Sequence, residues 1–245
     1  MAVNELALRL LVFSAITVAC AWIGGLVPLQ FRWKRDQLWL LISFGAGVLL
    51  GAAFLHMLPD AFDLVGSSAS GLVFVGFLVL FFIEKFVMVH ACGAHDCEYH
   101  TIGVAAFVGL SIHSMMAGIA LGSAAAIPGL GAVVLLAIVA HKAPASMSLA
   151  ALLIAAGYRR GAIIALISVF SLMVPLGVIV AYFILGAVPE HVVGVLVALS
   201  AGTFLYIAAS DLLPELHRAQ QLRTLSLVTF FGGVLLTWGA RVLGA

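Results

Sequence analysis

Charge is what this chain has least of. Only 9% of its 245 residues are Asp, Glu, Lys or Arg, where a soluble domain carries about 25%. That deficit excludes a globular domain bathed in water. The charges that remain nearly cancel, 11 basic against 10 acidic, and no basic cluster occurs. Nucleic acid is therefore excluded as a partner. Cysteine is scarce too. Cys20 lies in an apolar run and reads as inert, and Cys92 and Cys97 share one loop. Residues 1–4 contain no basic stretch and the first apolar run is long enough to stay in a membrane, so no cleavable signal peptide is expected. No His-Glu-x-x-His motif is present.

What fills the chain is apolar. Hydrophobic residues make up 64% and the mean hydropathy is +1.26, which defines an integral membrane protein. A spanning helix needs about 20 predominantly apolar residues. By that measure eight spans are expected, over 6–29, 38–60, 69–90, 101–124, 128–156, 161–186, 189–214 and 223–243. The connections are short, so residues 1–245 are read as a single all-α transmembrane domain.

The basic residues orient it. Arg32, Lys34 and Arg35 lie between spans one and two, and Lys85 flanks the end of span three. Arg159 and Arg160 lie between spans five and six, Arg218 and Arg223 between spans seven and eight. The alternate connections carry no Lys or Arg. The positive-inside rule then puts the basic connections in the cytoplasm and both termini on the extracytoplasmic side.

Two spans repeat a phrase. Span two ends Ala46-Gly-Val-Leu-Leu-Gly-Ala-Ala-Phe-Leu-His-Met-Leu-Pro-Asp60, and span seven ends Ala201-Gly-Thr-Phe-Leu-Tyr-Ile-Ala-Ala-Ser-Asp-Leu-Leu-Pro-Glu215. In the orientation above the two run in opposite directions. An inverted repeat of this kind marks secondary transporters; chance likeness between two Leu/Ala-rich helices is the alternative. The repeat places His56 and Asp60 one turn apart near the outer end of span two. It places Asp211 and Glu215 at the same spacing near the inner end of span seven. The proline in each phrase loosens the helix and frees a carbonyl, which is tolerated where the backbone lines a cavity.

The centre of the chain is the pair Ser111-Ile-His-Ser-Met-Met-Ala-Gly118 and Ala140-His-Lys-Ala-Pro-Ala-Ser146. His113 and His141 each fall near mid-membrane, on antiparallel neighbours. Imidazole suits zinc, copper, iron and nickel. Ser114 adds an oxygen, and Pro144 exposes the carbonyl of Ala140. The bland alternative is that each histidine makes an interhelical hydrogen bond worth about 0.6 kcal/mol. A lysine at that depth costs about 2.5–3.5 kcal/mol on insertion scales. Lys142 therefore takes the place of a second cation, pairs with Glu84 or Asp211, or is held neutral. Glu84, inside span three, either pairs with a cation or helps an ion leave.

The loop His90-Ala-Cys-Gly-Ala-His-Asp-Cys-Glu-Tyr-His100 follows span three on the cytoplasmic side. His90, Cys92, His95, Cys97 and His100 are thiolate and imidazole donors suited to zinc or copper. Their spacing is not that of a closed structural site, so a labile capture site is expected. A Cys92–Cys97 disulfide is the alternative, against the reducing character of the cytoplasm.

These residues together resemble the ZIP (Zrt-, Irt-like) family of divalent metal transporters, over nearly the whole chain. The family's span-four phrase His-(Ser/Asn)-x-x-Glu-Gly is matched by His113-Ser-Met-Met-Ala-Gly118. The His-Lys of one family branch is matched by His141-Lys142, and the span-seven phrase ending Leu-Pro-Glu is also similar. The resemblance implies an inverted 3+2+3 bundle with the transport site in spans four and five. This chain departs from the pattern at two carboxylates, replaced by Ala117 and Ala145. The expected two-metal centre is thereby reduced to His113, His141 and Ser114, with His56, Asp60 or Asp211 left to complete it.

The expectation is transport of a divalent ion, zinc first and iron or a similar ion next, into the cytoplasm through the inner or plasma membrane. The metal is substrate and not cofactor, and no enzymatic activity is expected. The partners are the divalent ion and the lipid bilayer, with a homodimer left open. Two other readings stand beside it. One is a degenerate, non-transporting metal sensor of the same fold. The other is an intramembrane zinc hydrolase using Ser114 and the histidines.

Overall fold

A membrane has no water to satisfy exposed backbone, so a spanning segment must close its hydrogen bonds within itself. The computed structural model, described over residues 2–31, 33–88, 98–125, 129–185, 189–214 and 222–242, follows that rule. It contains eight helices long and apolar enough to span: α1 Asn4–Gln30, α2 Gln37–Val65, α3 Ser68–Phe86, α4 Gly103–Ala124, α5 Leu130–Ala155, α6 Arg160–Phe183, α7 Glu190–Leu212 and α8 Arg223–Val242. At 1.5 Å rise per residue even the shortest, the 19 residues of α3, is about 29 Å long, close to a hydrocarbon core of about 30 Å.

The expected end of span two is residue 60, but α2 runs on to Val65. The reason lies before Pro59. Residues Ala53–Met57 form a wide, five-residue turn, which absorbs the missing proline N–H and the clash of its ring. Pro59 then sits in the first turn of the segment Leu58–Val65, where proline is tolerated. Gly66, at φ 60, closes the helix in a conformation that a side chain would strain. A wide turn at Ile207–Leu212 likewise precedes Pro214 in α7. The two repeated phrases thus share the same backbone irregularity, carrying His56 in one and Asp211 in the other.

The helices pack in matched pairs. α2 lies on α8 as α3 lies on α7, and α1 lies on α5 as α4 lies on α6. Each crossing is close because glycine meets backbone. A Cβ on Gly47 would collide with the Phe230 carbonyl, and one on Gly233 with that of Phe44. In the second pair Gly76 meets the Leu199 carbonyl and Gly202 that of Val73. Gly24 lies against Ala143, and Gly118 and Gly177 bring α4 onto α6. Lipid offers apolar side chains no hydrophobic drive to associate, so such close backbone contact supplies the attraction.

Leu110, Leu149, Leu152, Phe204 and Ile207 belong to the largest buried apolar cluster. It fills the bundle on the side of the centre where α4 begins and α5 ends.

Candidate metal site

His113 and His141 come together as the sequence suggests. α4 and α5 present them to each other with Nε2 atoms 3.5 Å apart and ring centroids 5.5 Å apart. α7 supports both rings. Phe204 stacks on His113 at 3.6 Å with planes 30° apart, and meets His141 edge-on at 5.4 Å. Ser200 Oγ is hydrogen-bonded to Nδ1 of His113.

The pair forms the floor of a cavity of about 500 Å³. Apolar side chains of α2, α4, α5 and α7 line most of its wall. His56, Asp60, Asp63, Ser123, Glu190, Ser200, Thr237 and Arg241 supply the rest of the polar lining, and Ala140 lies on it as well. Pro144 has no N–H to return to the Ala140 carbonyl, so that oxygen is spared from the helix ladder. Beyond the histidines lies a void of about 10 Å³ between Leu110, Ala145 and Phe170, room for about one water.

Ser114 stands beside the pair but is engaged. Lys142 Nζ donates to Ser114 Oγ at 2.8 Å and to the Phe170 carbonyl at 3.4 Å. It also lies 3.7 Å from the centroid of the Phe170 ring. Of the three alternatives for Lys142, pairing with Glu84 or Asp211 is not found among the described residues. The turn of α5 aims the side chain between α4 and α6, away from α3 and the inner end of α7.

His56 is on the cavity wall. Its Nε2 meets the Thr237 carbonyl of α8 at 2.7 Å. A carbonyl only accepts, so Nε2 carries the hydrogen and Nδ1 is the nitrogen left for the cavity. Asp60 lies at the mouth and binds Arg241 Nη1 at 2.7 Å. Glu84 and Asp211 are away from this cavity. Glu84 accepts the Tyr206 hydroxyl at 2.5 Å. Asp211 is 4% exposed, within electrostatic reach of Glu84, and its Oδ2 has no hydrogen-bond partner among the described residues.

His90, Cys92, His95 and Cys97 lie outside the described residues, as does Glu215. His100 belongs to the helix Glu98–Ala124, its side chain being outside the description. Among the described residues no three His, Cys, Asp or Glu side chains gather into a metal cluster, so the centre is a two-imidazole floor. Sequence reasoning passed over Ser200, Phe204, Thr237 and Arg241. Each acts on a site residue of another helix, and polarity within an apolar run is the one sequence signal carried by Ser200, Thr237 and Arg241.

An eight-helix bundle with paired imidazoles under a cavity defines a polytopic membrane protein with a buried polar centre. Its family is plain from comparison: the family described as ZIP Zinc transporter matches residues 6–94 and 89–239, and the chain belongs to it. "Zinc transporter ZIP9-B" of Xenopus laevis is 28% identical over 250 residues, covering 82% of each chain. "Zinc transporter ZIP2" of Homo sapiens is 27% identical over 272 residues, covering 82% of this chain and 85% of that one. "Zinc transporter ZIP9" of Macaca fascicularis is 39% identical over 116 residues, 44% of this chain and 49% of that one. Family and helices together make the chain an integral protein of the cell membrane.

Proposed function

We propose that this protein carries a divalent cation, zinc in the first place, into the cytoplasm through a site between α4 and α5. The observation that carries the reading is the 3.5 Å separation of the His113 and His141 Nε2 atoms at the cavity floor. Two nitrogens at about 2.05 Å from a tetrahedral zinc stand about 3.3 Å apart. The imidazoles are thus spaced to chelate one ion, with cavity water or the Ala140 carbonyl completing the shell.

The ion is collected by Asp60, Asp63 and Glu190 at the mouth and passes His56. It rests on the histidines and leaves by way of Glu84 and Asp211 to the Cys92/Cys97 loop. Neutral ligands hold it weakly, which favours release over storage. Pairing of α1 with α5 and of α4 with α6, against α2 with α8 and α3 with α7, supports rocking of one set on the other. The shared wide turns and glycine crossings support an inverted 3+2+3 repeat. The same arrangement supports a second reading, a non-transporting sensor, through the alanines at 117 and 145.

Purified protein in liposomes loaded with a zinc indicator tests this. Saturable zinc influx is expected, falling at least tenfold in His113→Ala and in His141→Ala. Zinc binding without influx would favour the sensor. Absence of both influx and binding for every divalent ion would end the proposal.

A further inference from the structure

Two thioethers share the cavity with the imidazoles, and the zinc route leaves both unused. Met57 and Met116 lie on its wall. Met116 comes three residues after His113, so the two share one face of α4. Ala120 and Ser123 continue that face along the cavity, which sets Met116 one turn nearer the mouth than His113. Met57 follows His56 in the wide turn of α2, and both residues reach the wall. A buried methionine is ordinarily a gap filler. These two are only half-buried and border open volume.

The donor set is soft. Imidazole and thioether gather around the cavity, while positions 117 and 145 beside the histidines are alanine. Among the described residues no three His, Cys, Asp or Glu side chains come together. Hard divalent ions want carboxylate oxygen, whereas thioether sulfur selects Cu(I). The charge nearby favours the same ion. Lys142, 2% exposed, has Ser114 and the Phe170 carbonyl and ring as neighbours, with no carboxylate among the described residues. Coulomb repulsion from its ammonium grows with the charge of the arriving ion, so a monovalent cation meets half of what a divalent one does.

We infer that the cavity takes a soft monovalent cation, Cu(I), as a second cargo. His113 and His141 supply its nitrogen ligands, and Met116, with Met57 across the cavity on α2, supplies sulfur. The inference rests on the transport site proposed above. The copper enters already reduced and leaves in the same state, so no electron is exchanged at the site. The absence of carboxylate beside the histidines, a handicap for a divalent ion, is none for an ion of single charge and soft preference.

The test uses the full chain in liposomes and chloride-free buffer. The probes are silver nitrate, a redox-stable soft cation, and copper sulfate kept as Cu(I) by ascorbate. Both ions should enter, and both should compete with zinc. Leucine fills the space of methionine, so the double variant Met57→Leu with Met116→Leu should keep zinc affinity within about twofold. Its affinity for Cu(I) and silver should fall about tenfold, as expected when soft sulfur donors become hydrocarbon. X-ray absorption at the copper edge should show nitrogen and sulfur neighbours in the wild type and nitrogen without sulfur in the double variant. Methionines that merely pack would change thermal stability and leave the Cu(I) affinity and spectrum as they were. That result overturns the inference, as does protein that carries zinc but neither Cu(I) nor silver. Influx of Cu(I) and silver without influx of zinc would instead overturn the zinc reading and leave this one standing.

Discussion

Lys142 and Ser114 face each other across α5 and α4, Nζ to Oγ at 2.8 Å, with Lys142 only 2% exposed. The lysine's other neighbours are a carbonyl and a ring face. Among the described residues no carboxylate balances it, so its charge, whenever present, acts on the adjacent imidazoles and weighs against a divalent ion. Lys142→Met should therefore tighten zinc binding at least tenfold, about 1.4 kcal/mol, read by titration calorimetry. Lys142→Arg should bind as the wild type does. Weaker binding in Lys142→Met would mean that the lysine supports the site.

Much of this architecture was legible because the bilayer forces it. A span must be long, apolar and self-bonded, so eight apolar runs translate directly into eight helices. His113 and His141 were legible for a related reason: polarity at mid-membrane is rare enough to stand out. The partners were not. His56 and Thr237 are separated by 181 positions, as are Asp60 and Arg241, and nothing local to either pair announces the contact. The continuation of α2 past Pro59 was hidden as well, because a wide turn converts a helix-breaking residue into a helix-starting one. For Lys142, spacing along α5 gave its depth, but not the rotation that sends it to Ser114 and Phe170.

The ion pair at the cavity mouth leads to a second prediction. Asp60 is a capture carboxylate in the proposed route, and Arg241 holds it, at side-chain exposures of 41% and 40%. An exposed pair of this kind is worth about 1 kcal/mol or less, weak enough for a divalent ion to displace. Arg241→Gln should lower the KM for zinc influx about threefold with kcat unchanged. Asp60→Asn should raise KM, and the double variant should resemble Asp60→Asn. An unaltered KM in Arg241→Gln would show that the arginine does not compete for the capture carboxylate.

The glycine crossings give a stability prediction. Gly202 packs on the Val73 carbonyl and Gly47 on the Phe230 carbonyl. Backbone cannot retreat as a flexible side chain can, so a methyl group at either position must push the crossing helices away from each other. Gly202→Ala and Gly47→Ala should each destabilise the protein by about 1–3 kcal/mol. Gly232 has open space where its Cβ would lie, and Gly232→Ala should be near neutral. Thermal unfolding in detergent, followed by tryptophan fluorescence, separates the three. Equal midpoints would mean that the crossings are looser than the close backbone contacts indicate.

The last prediction concerns the far side of the histidines. Asp211 lies in the wide turn before Pro214, buried, with Oδ2 unpartnered among the described residues, while Glu84 nearby is engaged by Tyr206. A buried carboxylate oxygen without a donor is costly, and a cation in transit would satisfy it. Asp211→Asn preserves size and removes the charge. If the ion leaves by this route, the substitution should lower kcat for zinc influx at least tenfold and leave zinc affinity at His113 and His141 within about threefold. Stopped-flow influx and equilibrium binding on the same preparation measure the two quantities separately. Asp211→Asn with full kcat would exclude Asp211 from the route. A matching loss of affinity would instead tie it to the central site, on which its position away from the cavity places no direct contact.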